Sequence, residues 1–314
     1  MPTGNAKTAI HRQSPRRRAP QRRRPAHRRA LRPVALSRSD EAGRQLAMEA
    51  RVQDTDLILE VGPGIGSLTQ KLAERAQKVV AIEKDRKLVN ILRTTLPDYP
   101  NVEIIQGDIL SSLAKPSFPR LSLAKENRGY KLVANLPYYI TSPVLRMFLQ
   151  AEPAPGPGLG EPLRPSPGIP QPELMVVMVQ KEVAERIARS KKESVLSVSV
   201  KVYGEPKYVQ TVKAGSFTPA PKVDSAILSI ENISKDFFSN SEVQPHCLDL
   251  EKRFFEIVKA GFAHKRKLLI SNLSVLISKE TLKKAFIKFD IKIRNIYSIH
   301  ITAGFFKHEV EKRL

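Results

Sequence analysis

The tetrapeptide Asn135-Leu136-Pro137-Tyr138 directly follows the apolar run 131–134, which predicts a buried strand. An amide, a rigid turn and an aromatic ring therefore stand at the carboxyl end of a strand, where open α/β sheets bind their ligands. An enzyme that modifies a nucleobase needs such a set, because it must stack a flat ring and hold the exocyclic amine with polar acceptors. Asn and Pro are also common in turns, so these four residues alone leave an ordinary strand-to-loop turn equally open.

A second candidate site is the glycine-rich turn Gly62-Pro63-Gly64-Ile65-Gly66, between a predicted strand at 57–61 and a helix that begins near Ser67. Its glycines permit a tight turn and the close approach of a ligand to the backbone. Glu83 follows Gly62 by 21 residues, at the end of the next predicted strand. A carboxylate there can accept hydrogen bonds from both ribose hydroxyls, so the spacing predicts a nucleoside cofactor.

The glycine turn alone would fit a dinucleotide nearly as well. Pro63 inside the turn and Asp108 after the third predicted strand favour an adenosyl ligand held by Glu83 and Asp108 over one held by its pyrophosphate. The predicted cofactor is S-adenosyl-L-methionine, and the alternative is that both acids are merely solvated strand ends. The residues predicted to contact the cofactor are Gly62, Gly64, Glu83, Lys84, Asp108, Ile109 and Asn135.

Short apolar runs alternate with segments of helical spacing along the first half of the chain, which predicts an α/β fold with a doubly wound parallel sheet. The predicted strands are 57–61, 79–83, 102–105, 131–134 and 174–179, and the predicted helices are 40–50, 67–76 and 86–96. Further strand-rich stretches lie around 207–213 and 223–231.

Composition divides the chain into three parts. Residues 1–39 form an Arg/Pro-rich tail without Asp or Glu, which predicts disorder. Residues 40–232 form the predicted catalytic domain, interrupted at 151–172 by a loop with eight prolines and four glycines. A polar connector at 233–245 predicts a boundary, after which residues 246–314 form a small helical domain with a basic cluster, His264-Lys265-Arg266-Lys267.

The formal net charge of +22 indicates a polyanionic partner, more often nucleic acid than a membrane surface. The tail carries +12 of this charge through eleven arginines and Lys7, so the body is basic without it. A single cysteine, Cys247, excludes an internal disulfide framework and a Cys-rich metal cluster and fits a cytoplasmic location. The sequence has no membrane-spanning apolar run, and an organellar transit peptide is a less favoured alternative because prolines interrupt the tail.

Several motifs together resemble those of the bacterial small-subunit ribosomal RNA adenine dimethyltransferases, over about residues 54–276. They are Leu59-Glu60-Val61-Gly62-Pro63-Gly64, Gln106-Gly107-Asp108, Asn135-Leu136-Pro137-Tyr138-Tyr139-Ile140-Thr141-Ser142-Pro143, the run 178–186, and Phe217-Thr218-Pro219-Ala220-Pro221-Lys222-Val223-Asp224-Ser225-Ala226. The resemblance implies a Rossmann-like class I methyltransferase sheet with a small C-terminal helical domain. It also identifies the stretch 263–269 as similar to the family's basic helix.

The resemblance implies that the chain dimethylates the exocyclic amine of adenines in small-subunit rRNA as a monomer. Asn135 and the carbonyl of Pro137 would accept the hydrogens of the amine, while Tyr138 and Phe217 would stack on the two faces of the flipped base. No metal or catalytic histidine is implied, because the methyl group of the cofactor is already activated. Phe217 outside this motif would be interpreted as an ordinary core residue.

The chain departs from the family's pattern before the first helix. Family members usually carry a Gly-Gln-Asn-Phe-Leu segment there, which closes over the cofactor, whereas this chain has Arg32-Pro33-Val34-Ala35-Leu36-Ser37-Arg38-Ser39-Asp40. Two alternative functions stay open. One is a large-subunit rRNA adenine methyltransferase, over which Tyr139-Ile140-Thr141 and the run 218–225 favour the small-subunit enzyme, and the other is a non-catalytic RNA-binding assembly factor, which the missing segment favours.

Overall fold

Seven strands of the described residues form one mixed sheet in the order β3-β2-β1-β4-β5-β7-β6. In this computed structural model the described residues are 38–112, 129–151, 170–217, 219–239, 247–264 and 266–288. The strands are β1 Leu57–Val61, β2 Lys78–Glu83, β3 Val102–Gln106, β4 Lys131–Asn135, β5 Leu174–Gln180, β6 Glu205–Val212 and β7 Ser225–Glu231. Residues 1–37 of the predicted tail, 152–169 of the Pro/Gly-rich loop, 240–246, Lys265 and 289–314 lie outside the described residues.

Helices connect the strands and cover both faces of the sheet, which confirms the predicted α/β class. They are α1 Arg38–Glu49, α2 Ser67–Ala73, α3 Arg86–Thr95, α4 Ile109–Ser112, α5 Thr141–Leu149, α6 Lys181–Ala188, α7 Val195–Lys201, α8 Asp236–Ser239, α9 Cys247–Gly261, α10 Leu269–Leu273 and α11 Lys279–Lys288. Within the described parts of the chain, no helix is both long and apolar enough to cross a membrane.

Strands β1 to β5 are parallel, as the alternating pattern predicts. The sequence pattern assigned no direction to the stretches around 207–213 and 223–231, and in the structure β7 is antiparallel to both β5 and β6. A parallel neighbour needs a crossover connection, usually a helix, whereas β6 and β7 are joined by a loop and can pair as a hairpin. This reversal places the start of β7 beside the carboxyl end of β5, where Ser225 pairs with Gln180.

The central strands are buried on both faces, because each separates two apolar clusters. All five residues of β1 are buried. Leu59 belongs to the larger cluster, whereas Ile58 belongs to the smaller one with Leu46 of α1 and Leu72 of α2. Successive side chains of a strand point to opposite faces, so a continuous apolar run is the expected sequence of such a strand.

The C-terminal helices extend the larger cluster. Phe254 and Phe255 of α9 belong to it, and the Phe254 ring lies 5.5 Å from that of Phe238. Polar contacts join the same region, since Glu251 accepts hydrogen bonds from the hydroxyl of Tyr203 and the ammonium of Lys235. The helical pattern predicted from residue 250 onward is observed over the described residues up to Lys288, while a domain boundary near 233–245 stays a prediction.

Contrary to its resemblance to the family's basic helix, the basic stretch is not helical at its described residues 263, 264 and 266–268, and only its last residue, Leu269, belongs to a helix, α10. It connects α9 to α10, and Arg266 and Lys267 are exposed in it. Helix α9 ends at Gly261 because the side-chain amide of Asn272 donates to the carbonyls of Gly261 and His264, at 2.8 and 3.1 Å. The carbonyl of Gly261, at the helix end, is thus satisfied by a side chain and not by a further helical turn.

Candidate functional site

The carboxyl edge of the parallel strands brings the predicted site residues together. The amide of Gly62, just after β1, donates to Ile82 of β2 at 2.9 Å, and the amide of Gly107 donates to Glu83 at the same distance. On the other side of β1, Asn135 is the last residue of β4 and pairs with Met178 of β5. The ends of these neighbouring strands therefore form one continuous row of backbone and polar groups.

The glycine turn lies directly against the Asn-Leu-Pro-Tyr motif. A Cβ atom on Gly62 would lie 3.7 Å from Cδ of Pro137, and the backbone of Gly62 has a φ of +71° that side chains rarely adopt. A Cβ on Gly64 would meet nothing within 4 Å, so the turn is open above that residue. The two predicted sites, 73 residues apart in the sequence, are thus one site.

Glu83 is oriented by backbone donors. Its Oε2 accepts a hydrogen bond from the amide of Gly64 at 3.2 Å, and its Oε1 accepts one from the amide of Asp85 at 2.8 Å. The side chain is buried. Each carboxylate oxygen can accept more than one hydrogen bond, so both oxygens keep capacity for a pair of ligand hydroxyls.

Asp108 and Lys84 form an ion pair with 2.8 Å between Nζ and Oδ2. The hydrogen bond from Lys84 lowers the pKa of Asp108 below its usual value, assisted by the backbone amide of Leu110. Asp108 is therefore a charged acceptor at the end of β3. Ile109 differs from these residues because its side chain is buried in the larger cluster, which leaves only its backbone available to a ligand.

Glu60 is a buried acid that the sequence reasoning did not assign to the site. It lies in the middle of the apolar strand β1, and its Oε2 has no hydrogen-bond partner among the described residues. Burial raises the pKa of Glu60 to about 8. The polar side chain of Thr69 lowers this pKa, and the negative charge of the nearby Glu83 carboxylate raises it further. A carboxyl group inside an otherwise apolar strand is the sequence signal that could have identified it.

The Asn-Leu-Pro-Tyr segment is held by bonds that leave its acceptors available. Asn135 is exposed, and the amide of Leu136 donates to Met178 at 3.2 Å. The carbonyl of Pro137 accepts from the amide of Ile140 at 3.1 Å, which uses one of its two lone pairs. The hydroxyl of Tyr138 lies 2.8 Å from that of Ser225 at the start of β7.

Phe217 lies in the loop that joins β6 to β7, at the same edge of the sheet. It follows a short 3-10 turn, Ala214–Ser216, and its amide donates to the carbonyl of Ala214 at 3.2 Å. Asp224 accepts a hydrogen bond from the amide of Ala214 at 3.0 Å. The strands β6 and β7 therefore carry both the loop with Phe217 and, at the start of β7, Ser225, which contacts Tyr138. The half-buried ring of Phe217 packs against the smaller cluster.

Lys181 and Arg186, within the motif 178–186, lie on the partly exposed face of α6. Arg186 forms an ion pair with Glu182 one turn earlier, and both side chains are at least half exposed. In the part of the chain that the structure describes, no three His, Cys, Asp or Glu side chains are grouped so that they could hold a metal ion.

Comparison with known proteins identifies relatives of this chain over most of its length. A family model described as "Ribosomal RNA adenine dimethylase" matches residues 40–300. A protein named ribosomal RNA small subunit methyltransferase A from Dehalococcoides mccartyi is 40% identical over 231 residues, covering 73% of this chain and 69% of its own. A protein of the same name from Fusobacterium nucleatum is 34% identical over 262 residues, covering 82% of this chain and 86% of its own.

Solved structures show the same fold. A dimethyladenosine transferase from Plasmodium falciparum superposes with a TM-score of 0.63 at 23% identity, over 87% of this chain and 96% of that one. The 23S rRNA methyltransferase ErmE superposes with a TM-score of 0.61 at 22% identity, over 87% and 97%. The predicted class I methyltransferase fold is confirmed, and with the family model matching most of its length, the chain belongs to the ribosomal RNA adenine dimethylase family.

Proposed function

We propose that this chain transfers methyl groups from S-adenosyl-L-methionine to the exocyclic amine of adenines in small-subunit rRNA, forming dimethyladenine during ribosome biogenesis. The observation that carries the proposal is that the glycine turn lies beside the Asn-Leu-Pro-Tyr motif: a Cβ placed on Gly62 would lie 3.7 Å from Cδ of Pro137. A turn suited to a nucleoside cofactor and a motif suited to a base amine are thereby neighbours.

The residues at the carboxyl edge fit the cofactor. Glu83, held by the amides of Gly64 and Asp85, has free acceptor capacity for the two ribose hydroxyls. Asp108 supplies a charged acceptor at the next strand, and Gly64 has open space above it. Bound there, the cofactor supplies a methyl group on a sulfonium, which is activated without a metal ion.

Asn135 and Pro137 prepare the nucleophile. The lone pair of the adenine amine is delocalised into the ring, and acceptors that draw its two hydrogens out of the ring plane localise that pair on nitrogen. The amide oxygen of Asn135 and the free lone pair of the Pro137 carbonyl are the acceptors that we assign to this task. With the cofactor bound, the amine so held would take the methyl group, the cofactor would leave as a neutral thioether, and the amine proton would pass to solvent.

Tyr138 and Phe217 hold the flipped base between their rings, each contributing on the order of 1–3 kcal/mol by stacking. Alignment of amine, methyl carbon and sulfur then provides most of the acceleration. The same pocket can bind the monomethylated amine again, rotated so that its remaining hydrogen meets an acceptor. This accounts for a dimethylated product after exchange of the cofactor.

Small-subunit rRNA is the proposed partner, bound by a monomer in the cytoplasm. Arg266 and Lys267 are exposed in the connection between α9 and α10, and the net charge of the chain is +22. Contacts of such side chains with backbone phosphates position RNA without selecting its sequence.

Expression in a host that lacks its small-subunit adenine dimethyltransferase tests the proposal. Mass spectrometry of the small-subunit rRNA is expected to detect dimethyladenine with the wild-type chain. Asn135→Ala is expected to abolish it nearly completely while retaining affinity for S-adenosyl-L-methionine by calorimetry, because Asn135 acts on the amine during transfer.

Two other outcomes would overturn the proposal. Dimethyladenine confined to the large-subunit rRNA would identify a large-subunit adenine methyltransferase. A folded, cofactor-binding protein that methylates neither rRNA would identify a non-catalytic assembly factor.

A further inference from the structure

We infer that the adjacent residues Asp224 and Ser225 are positioning residues for the two aromatic walls of the base pocket: Ser225 acts through Tyr138 and Asp224 through the loop that carries Phe217. The inference rests on the proposed function of Tyr138 and Phe217. Neither Asp224 nor Ser225 needs to touch the base.

Ser225 fixes the free end of the Tyr138 ring. Its side chain is 2% exposed, and its hydroxyl lies 2.8 Å from the hydroxyl of Tyr138. Ser225 is itself held rigidly, because it pairs with Gln180 of β5 and with Val212 of β6. Tyr138 begins a 3-10 turn, Tyr138–Ile140, so its backbone is fixed as well. A ring held at both ends has a fixed axis, so its centre stays where a base can stack on it.

Asp224 fixes the start of the Phe217 loop. Its Oδ1 accepts from the amide of Ala214 at 3.0 Å, and its Oδ2 lies 3.1 Å from Nζ of Lys213. Its backbone carbonyl accepts from the amide of Lys181 at 3.0 Å, which ties it to the first residue of α6. The hydrogen bond from Ala214 lowers the pKa of Asp224, with Lys213 adding to the effect, so the acceptor is charged at neutral pH.

Two consecutive residues therefore set the relation between the rings. Neighbouring Cα atoms are separated by a fixed distance of about 3.8 Å. The anchor of the Tyr138 ring and the anchor of the Phe217 loop cannot move apart, although their targets are 79 residues apart in the sequence.

A double-mutant cycle tests the Ser225 half. Ser225→Ala and Tyr138→Phe each remove the same hydrogen bond, so each is expected to lower the single-turnover methylation rate at saturating RNA and cofactor by about fivefold, the equivalent of one net hydrogen bond. The double variant is expected to be no slower than the slower single variant, because the bond can be lost only once. The dissociation constant for S-adenosyl-L-methionine is expected to stay unchanged throughout.

Ser229→Ala is the matched control for this cycle. Ser229 is a buried serine on the same strand, and its hydroxyl has no hydrogen-bond partner among the described residues. Its removal is expected to leave the rate unchanged. Multiplicative losses in the double variant, or a Ser225→Ala rate equal to wild type, would overturn the role of Ser225.

The Asp224 half is tested through affinity for RNA. Asp224→Ala is expected to raise the KM for an RNA substrate by about threefold to tenfold without changing cofactor affinity. Asp224→Asn keeps an acceptor for the amide of Ala214, so its KM is expected to lie between those of wild type and Asp224→Ala. Asp224→Ala added to Phe217→Ala is expected to raise the KM no further, because Asp224 acts only through that ring. Glu182→Ala, on the solvated face of α6, is the control. A further rise in the double variant would overturn the role of Asp224.

A readout without methyl transfer separates failure of this inference from failure of the proposed function. Fluorotyrosine at position 138 is expected to show a changed fluorine resonance in Ser225→Ala but not in Ser229→Ala. An inactive wild type with this pattern would contradict only the proposed function. An unchanged resonance in Ser225→Ala would contradict the positioning role even in an active enzyme.

Discussion

Glu83 is oriented before any ligand binds, because the amides of Gly64 and Asp85 both donate to its carboxylate. We predict that Glu83→Ala weakens binding of S-adenosyl-L-methionine by roughly 1.5–3 kcal/mol, the range for hydrogen bonds to a charged group. Isothermal calorimetry measures this as a rise in Kd of about one to two orders of magnitude. Glu74→Ala is the control, since that exposed acid caps the far end of α2; equal affinity in Glu83→Ala and wild type would refute the assignment.

Glu60 makes stability depend on pH. Its folded-state pKa, raised to about 8 by burial, lies above the ordinary value of 4.5. Between these values the folded state binds more protons than the unfolded state, so the free energy of unfolding falls as pH rises from about 4.5 to about 8. The stabilisation is complete below pH 4.5 and lost above pH 8.

Glu60→Gln is predicted to remove the fall in the free energy of unfolding with rising pH, because glutamine has nearly the same shape as glutamate and does not ionise. Relative to wild type, the variant is expected to gain up to a few kcal/mol of stability between pH 5 and pH 8, from about 1.4 kcal/mol per unit of pKa shift. Urea unfolding at the two pH values measures the difference. Parallel pH profiles for the two proteins would show that Glu60 does not titrate as described.

At the scale of elements, two glycines, one in the helix before β1 and one in the turn after it, have opposite roles. Gly66 precedes α2 with a φ of +92°, and a Cβ there would lie 3.0 Å from Cδ2 of Leu92. Gly43 lies inside α1, where a Cβ would make only an ordinary contact with Leu68, at 3.5 Å. The first glycine is required by the turn, whereas the second weakens a helix.

We therefore predict opposite signs for the two alanine substitutions. Gly66→Ala is expected to lower the free energy of unfolding by about 1–2 kcal/mol, the cost of a left-handed backbone at a residue with a side chain. Gly43→Ala is expected to raise it by about 0.5–1 kcal/mol, the difference in helix propensity. Chemical denaturation compares both with wild type, and changes of equal sign would contradict the structure of the turn.

The C-terminal helices are joined to the sheet by charge as well as by packing. Lys235 is 8% exposed and lies 3.1 Å from Glu251 of α9, which also accepts from Tyr203. A buried ammonium needs such a partner because an unpaired charge in the interior is costly. The link fixes α9 against the segment that follows β7, and so orients the basic connection before α10 relative to the sheet.

At the scale of the whole molecule, charge is spread over the body and the N-terminal segment. Residues 1–39 carry +12 of the total +22. We predict that removing residues 1–37, which precede α1, lowers nonspecific affinity for RNA and flattens its dependence on salt, because fewer counterions are released from RNA. The position of the methylated adenine is expected to stay the same, since contacts between arginine and phosphate carry no base information.

Filter binding at several salt concentrations and mapping of the modified nucleotide check both parts of this prediction. The salt dependence of the shortened chain is compared with that of a full-length variant in which Arg266 and Lys267 are changed to Gln. A shift of the modified nucleotide on removal of residues 1–37 would show that the N-terminal segment takes part in recognition.

The sequence by itself determined the α/β class, the parallel strands β1 to β5 and the positions of the candidate site residues. These are local properties: apolar runs mark buried strands, and a polar residue after such a run lies at the carboxyl edge of the sheet wherever the strand stands. The family motifs added the roles of Asn135, Pro137, Tyr138 and Phe217, which stay proposals.

Only the tertiary structure decided which distant residues meet. The antiparallel insertion of β7 beside β5 brings Ser225 to Tyr138, 87 residues away, and the order β2-β1-β4 brings the glycine turn to Pro137. The end of α9 likewise involves a hydrogen bond from the side-chain amide of Asn272 to the carbonyl of Gly261. Such contacts depend on strand order and on packing between elements, which no pattern confined to one segment encodes, because each local segment is compatible with several arrangements of its neighbours.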